Sequence, residues 1–191
     1  MGLLWVGTGV FFDLDWRTST TIVLVSLLLI LSLIDLDTKR LPNVLVGLLA
    51  VAGAVSAVAS QFSGKMLLPA PSHPASGLLS QPFVIATLGV LLGAGLSLCI
   101  AQVYAMVRNA EGFGMGDVKL LGAIGLFVGP YVAMVFLLAC FTGTVWMLVS
   151  RQAKSPRMQV PFGPFIAFAT GIVLVFGELL WMWYAGLVGF R

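Results

Sequence analysis

The chain alternates long apolar runs with short polar breaks, and the breaks carry most of its charge. Six runs stand out, over about residues 20–36, 44–60, 82–107, 118–128, 131–149 and 162–188. Five of them reach the length a helix needs to cross a bilayer, roughly 17–25 residues. The fourth is shorter, at about 1.5 Å per residue too short to span alone. The breaks are equally regular. A charged stretch with Pro42 follows the first run, and a loop rich in Pro, Ser and Gly over residues 61–81 follows the second. Arg108 and a glycine-rich segment close the third, Gly129-Pro130 the fourth, and a basic loop over residues 151–157 the fifth. This pattern predicts an all-α polytopic membrane protein of about six transmembrane helices, with the short fourth helix shielded by its neighbours. We read residues 1–191 as one membrane-embedded domain.

Composition sharpens the class. Apolar residues make up 60% of the chain and charged residues 9%. Soluble domains sit nearer half and a quarter, so that class is excluded, as are disordered and collagen-like chains. The ten Lys and Arg are too few and too scattered for a phosphate-tracking stripe, which removes nucleic acid as a partner. Residues 1–12 lack a basic start, and Asp13 and Asp15 follow them, so residues 1–18 read as an outer lead-in, or as the remnant of an earlier helix in a longer relative, rather than a cleaved leader. Cys99 and Cys140 each lie inside an apolar run and His73 stands in a proline-rich loop, a pattern of packing and surface residues. No metal site and no cofactor is expected.

Orientation follows from the basic residues. With six crossings, Lys39, Arg40, Arg108, Lys119, Arg151, Lys154 and Arg157 share one side, while Arg17, Lys65 and Arg191 share the other. The richer side is expected to be cytoplasmic, with both termini outside. A five-crossing alternative, with a re-entrant fourth run, weakens that bias.

Seven acidic residues remain to be weighed. Asp13, Asp15 and Glu111 suit solvated segments. Glu178 falls inside the last run, where a carboxylate is a functional candidate by default, yet toward the outer half and away from the other acids. Asp35 closes the first helix and Asp117 opens the fourth, two crossings later, so both reach the cytoplasmic edge of the membrane. Two carboxylates at one depth suit acid/base hydrolysis: one draws a proton from water while the other protonates the leaving group. Structural roles weigh about equally from position alone. Asp35 could pair with Lys39 or Arg40, and Asp117 could cap a helix. Asp37, two residues from Asp35, points to another helix face. The segment from Glu111 to Asp117 is too rich in glycine for helix, and from Gly112 to Asp117 it misses the nucleotide-loop spacing. We expect its glycines to allow positive φ and a close approach to an extended substrate.

These residues resemble a known family. The stretch from Ile34 to Asn43, with Asp35, Asp37, Lys39, Pro42 and Asn43, resembles the first aspartate motif of type IV prepilin peptidases. Gly114-Met115-Gly116-Asp117 with Lys119 resembles their GxGD motif, and Pro161-Phe162-Gly163-Pro164 their proline-glycine segment before the last helix. The resemblance implies a membrane aspartic endopeptidase of the bacterial inner membrane. It implies cleavage of the basic leader of prepilins or pilin-like secretion proteins at the cytoplasmic face. Asp35 and Asp117 take the catalytic positions, and Gly114, Gly116, Lys119, Pro161, Phe162 and Gly163 are substrate-binding candidates. Lys119 could orient substrate or snorkel to the interface, and the second reading is slightly favoured. Many members carry an N-terminal cytoplasmic domain with CxxC pairs linked to N-methylation. None is seen ahead of the first run here, so the expectation is either a short, peptidase-only member or the C-terminal part of a longer design.

Two other readings stay open at this point. A presenilin-like or signal-peptide-peptidase-like protease also uses GxGD, but carries Pro-Ala-Leu where this chain has Pro161-Phe162-Gly163. A proton- or cation-coupled transporter would use Asp35, Asp117 and Glu178 as a relay, although no inverted repeat is visible. Elsewhere, Trp181, Trp183, Tyr184, Phe162 and Phe165 fit interfacial belts and packing. Gly89, Gly93, Gly95, Gly122 and Gly125 suit close helix approach.

Overall fold

The computed structural model describes residues 16–39, 41–64, 67–68, 81–108, 114–150 and 161–188. They form six α-helices: α1 (Trp16–Thr38), α2 (Asn43–Ser63), α3 (Pro82–Arg108), α4 (Met115–Val128), α5 (Val132–Val149) and α6 (Gly163–Val188). A single 3-10 turn, Gly129–Tyr131, joins α4 to α5. The all-α membrane architecture expected from the runs is therefore present. Asp13, Asp15, Arg40, Lys65, His73, Glu111, the basic residues Arg151, Lys154 and Arg157, and Arg191 lie outside the described residues, as does the lead-in before Trp16.

Local chemistry sets the helix ends. Lys39 takes a left-handed φ of 51°, rare for a residue with a side chain, and its N–H still reaches the Asp35 carbonyl at 2.9 Å. That closes α1. Pro42, extended at φ −67°, ψ 123°, then precedes the first residue of α2. At the other end of α4, Gly129 has φ +58°, and a side chain there would strike Ile85. Only glycine allows the chain to stop a helix and turn so close to α3.

Contacts along the helices show that they alternate in direction. Asn43 of α2 meets Lys119 of α4, and Gly53 faces Leu126 and Phe127, so α2 and α4 run the same way. Gly93 faces Leu121 and Gly89 faces Gly125, so α3 runs against α4. Tyr131 lies on Gly177 while Gly143 faces Phe162 and Phe165, so α5 runs against α6 and back toward the end at which α4 began. One end of the bundle therefore gathers the close of α1, α3 and α5 and the start of α2, α4 and α6.

Length and apolarity qualify five stretches to cross a membrane, because α4 and α5 count together as Met115–Val149. With 14 residues, α4 alone is about 21 Å long, against a hydrocarbon core of about 30 Å. It is also the most enclosed helix. Leu120, Leu121 and Ile124 are almost fully buried, as expected for a short helix shielded by its neighbours. Around it, α2, α3 and α6 present Val44, Phe62, Leu91, Phe168 and Leu179 on the outside, a surface that lipid covers. Between lipid and protein no gain comes from excluding water, so α4 is held by close packing. The tightest seam is Gly89 against Gly125, where an added Cβ on either would run into the other's backbone. Gly122 against Ala94 extends it, whereas Gly95, expected in the same seam, faces open space.

Candidate active site

Asp35 lies in the last turn of α1 and Asp117 in the first turn of α4. Asp35 is 5% exposed, the one charged residue buried among the described residues. Its Oδ2 accepts a hydrogen bond of 2.8 Å from the backbone N–H of Gly163, the first residue of α6. Asp117 is half-buried and lies within electrostatic reach of Asp35. Helix counting from the sequence placed these two carboxylates at one end, and the fold brings them together there.

The glycines around the pair act differently from expectation. Gly114 is extended (φ −69°, ψ 130°) and precedes α4, while Met115, Gly116 and Asp117 are already helical. Neither Gly114 nor Gly116 has positive φ, so the reason for glycine is space rather than backbone freedom. A Cβ on Gly114 would lie 3.1 Å from Asp117 Oδ2, and one on Gly116 would lie 3.0 Å from the Leu41 side chain. The first seats the carboxyl, and the second lets α4 start against the link between α1 and α2. The helix begins before Asp117 because the amide groups of Asp117 and Val118 reach back to the Gly114 carbonyl, at 3.0 and 3.4 Å. Composition alone predicts a loop through that point.

Lys119 projects from α4 to donate a hydrogen bond of 3.0 Å to Asn43 Oδ1 at the start of α2. The two motif residues form a clip between helices, which neither the substrate-orienting nor the snorkelling reading foresaw. Only their spatial pairing reveals it, since 76 positions separate them. Pro161 and Phe162 are half-buried beside Gly163, and Phe162 and Phe165 pack toward Gly143. Asp37 is exposed, on the face away from Asp35. Glu178 belongs elsewhere: it lies past the middle of α6, near Tyr131, which stacks edge-on with Trp181 at 5.9 Å. It takes no part in the carboxylate pair.

Fold and site together define a polytopic α-helical membrane protein with two carboxylates gathered at one end of its bundle. The profile of the type IV leader peptidase family matches residues 22–148, which include both aspartates. The chain belongs to that family. It is 30% identical over 184 residues to a protein of Pseudomonas aeruginosa named prepilin leader peptidase/N-methyltransferase, covering 94% of this chain and 57% of that one. A protein of the same name from Xanthomonas campestris is 28% identical, covering 94% and 58%. A leader peptidase named HopD from Escherichia coli is 36% identical over 97 residues, 48% of this chain and 61% of that one. The chain thus spans somewhat more than half the length of the two longer relatives. No solved structure matches it.

Proposed function

We propose that this chain is an aspartic endopeptidase that cleaves the leader from type IV prepilins or pilin-like secretion proteins. The observation that carries the reading is the meeting of Asp35 and Asp117 at one end of the bundle in a member of this family. The chemistry needs nothing beyond the pair and a water. One carboxylate accepts a proton from the water as its oxygen attacks the scissile carbonyl. The other gives a proton to the amine nitrogen as the peptide bond breaks. Two carboxylates within electrostatic reach of each other disfavour the doubly ionised state, which suits a pair that must hold one acid and one base.

The site's position suits the substrate. A pilin-like precursor has a basic leader joined to a hydrophobic helix, so its junction lies at the membrane surface. Asp35 and Asp117 lie at helix ends, where that junction would arrive. Exposed Gly114 and the Pro161-Phe162 segment flank the pair and would line the bound strand. We assign this end to the cytoplasmic face of a bacterial inner membrane, since Lys39, Arg108 and Lys119 all lie toward it. We read the six helices as six crossings, with α4 crossing inside a protein sheath.

The test is cleavage in vitro. The purified chain in lipid nanodiscs is incubated with a synthetic precursor bearing a basic leader and an apolar helix. Mass spectrometry should find a single cut at their junction. Asp35→Ala and Asp117→Ala should each abolish it while inserting and unfolding normally. An intact precursor with the unaltered protein, or near-normal cleavage by either variant, would refute the reading.

A further inference from the structure

The start of α6 is built to offer one backbone donor, and Asp35 takes it. A helix leaves its first N–H groups without partners inside the helix. In α6 the amides of Phe165 and Ile166 turn back to the Phe162 carbonyl, at 3.1 and 3.2 Å. Pro164 has no N–H at all. Gly163 remains, and its N–H points at Asp35 Oδ2 across 2.8 Å.

The electrostatics favour the same arrangement. Asp35 stands near the C-terminus of its own helix, the negative end, where a carboxylate is disfavoured. The N-terminus of α6 supplies positive potential to the same group, through a hydrogen bond strengthened by charge. Space completes it. A Cβ on Gly163 would lie 2.8 Å from Oδ2 and 3.2 Å from both Cβ and Cγ of Asp35. Any side chain at position 163 would push the carboxylate off its donor.

We propose that Gly163 is a positioning residue for Asp35, fixing one carboxylate oxygen so that the other faces the reacting water, rather than a contact for substrate. The proposal rests on the peptidase reading above. Misplacing a reacting group by about 1 Å costs on the order of 10²-fold in rate. Gly163→Ala should therefore lower kcat by roughly that factor and leave KM within about twofold. A substrate contact would instead raise KM.

Three proteins compared with the unaltered one decide it. Gly163→Ala adds the clash. An amide-to-ester replacement at position 163, made by cell-free synthesis with glycolic acid into nanodiscs, deletes the N–H without adding a side chain. Gly171→Ala, on the same helix with nothing within 4 Å, is the neutral control. We expect kcat to fall in the first two, by about 10²-fold for the alanine and about tenfold for the ester, with KM steady. If the alanine variant fails to fold, the ester alone decides. Unchanged kcat in the ester, or a raised KM at normal kcat, overturns the proposal. An Asp35→Asn variant run in parallel separates the two readings. Its normal cleavage would overturn the aspartic mechanism and this proposal with it, whereas its inactivity beside a fully active ester would overturn this proposal alone.

Discussion

Asp35 and Asp117 meet at one end of the bundle, yet each is held there in a different way. Asp117 sits in the first turn of α4, where the helix dipole welcomes a negative charge, and it is half open to its surroundings. Its place is set by a whole helix, seated on α3 through Gly89 and Gly125. Asp35 sits at the unfavourable end of α1, buried, and held by a single backbone amide from the last helix. Each carboxylate is therefore vulnerable at a different point. Asp117 moves only if the core moves, whereas Asp35 can be displaced by one methyl group.

The largest effect should come from the seat of α4. Gly125→Val places a branched side chain against the Gly89 backbone, a clash no rotamer relieves. Overpacking of this kind typically costs about 1–3 kcal/mol and more where backbone must shift. We expect roughly 3 kcal/mol or more here, a clearly lowered thermal midpoint in detergent, and loss of cleavage through misfolding. Gly95→Ala, in the same helix as Gly89 but facing open space, should stay within about 0.5 kcal/mol of the unaltered protein. Equal midpoints for the two variants would contradict the packing account.

A smaller effect should follow from opening the clip between α2 and α4. Lys119→Met deletes one exposed hydrogen bond, worth about 1 kcal/mol, and should lower cleavage a few-fold. Asn43→Ala should do the same. The combined variant should be no worse than either alone, because both remove one contact. Additive losses would show that Lys119 acts on something other than Asn43. The smallest effect belongs to Asp37→Asn, whose exposed side chain lies off the site. Its cleavage rate should remain within about twofold of normal, as for most surface changes.

These contrasts also mark how far the sequence could be read. The helices were legible because a membrane span needs roughly 20 apolar residues, and such runs leave little choice of structure. The aspartate pair was legible because alternating crossings fix which helix ends share a side. The start of α4 was not, since glycine composition speaks for a loop while a preceding extended Gly114 and the packing of Gly116 on Leu41 allow a helical turn. Lys119 and Asn43 could not be paired from spacing alone. Gly163 was visible as part of a motif, but its role is carried by a backbone N–H, and every residue except proline has one. What singles it out is the missing Cβ and the proline after it, and both make sense only once Asp35 is seen opposite.

Whether Asp35 and Asp117 act as one unit is decided most sharply by a double-mutant comparison of cleavage rates. Asp35→Asn and Asp117→Asn are made singly and together, and initial rates on the synthetic precursor are measured in nanodiscs with equal amounts of folded protein. Loss of a general acid or base costs about 10²–10⁴-fold. If the two share one proton cycle, each single variant should lose at least that much and the double should be no slower than the singles. Two partial losses that multiply in the double variant, or a single variant that cleaves at near the normal rate, would contradict the pair.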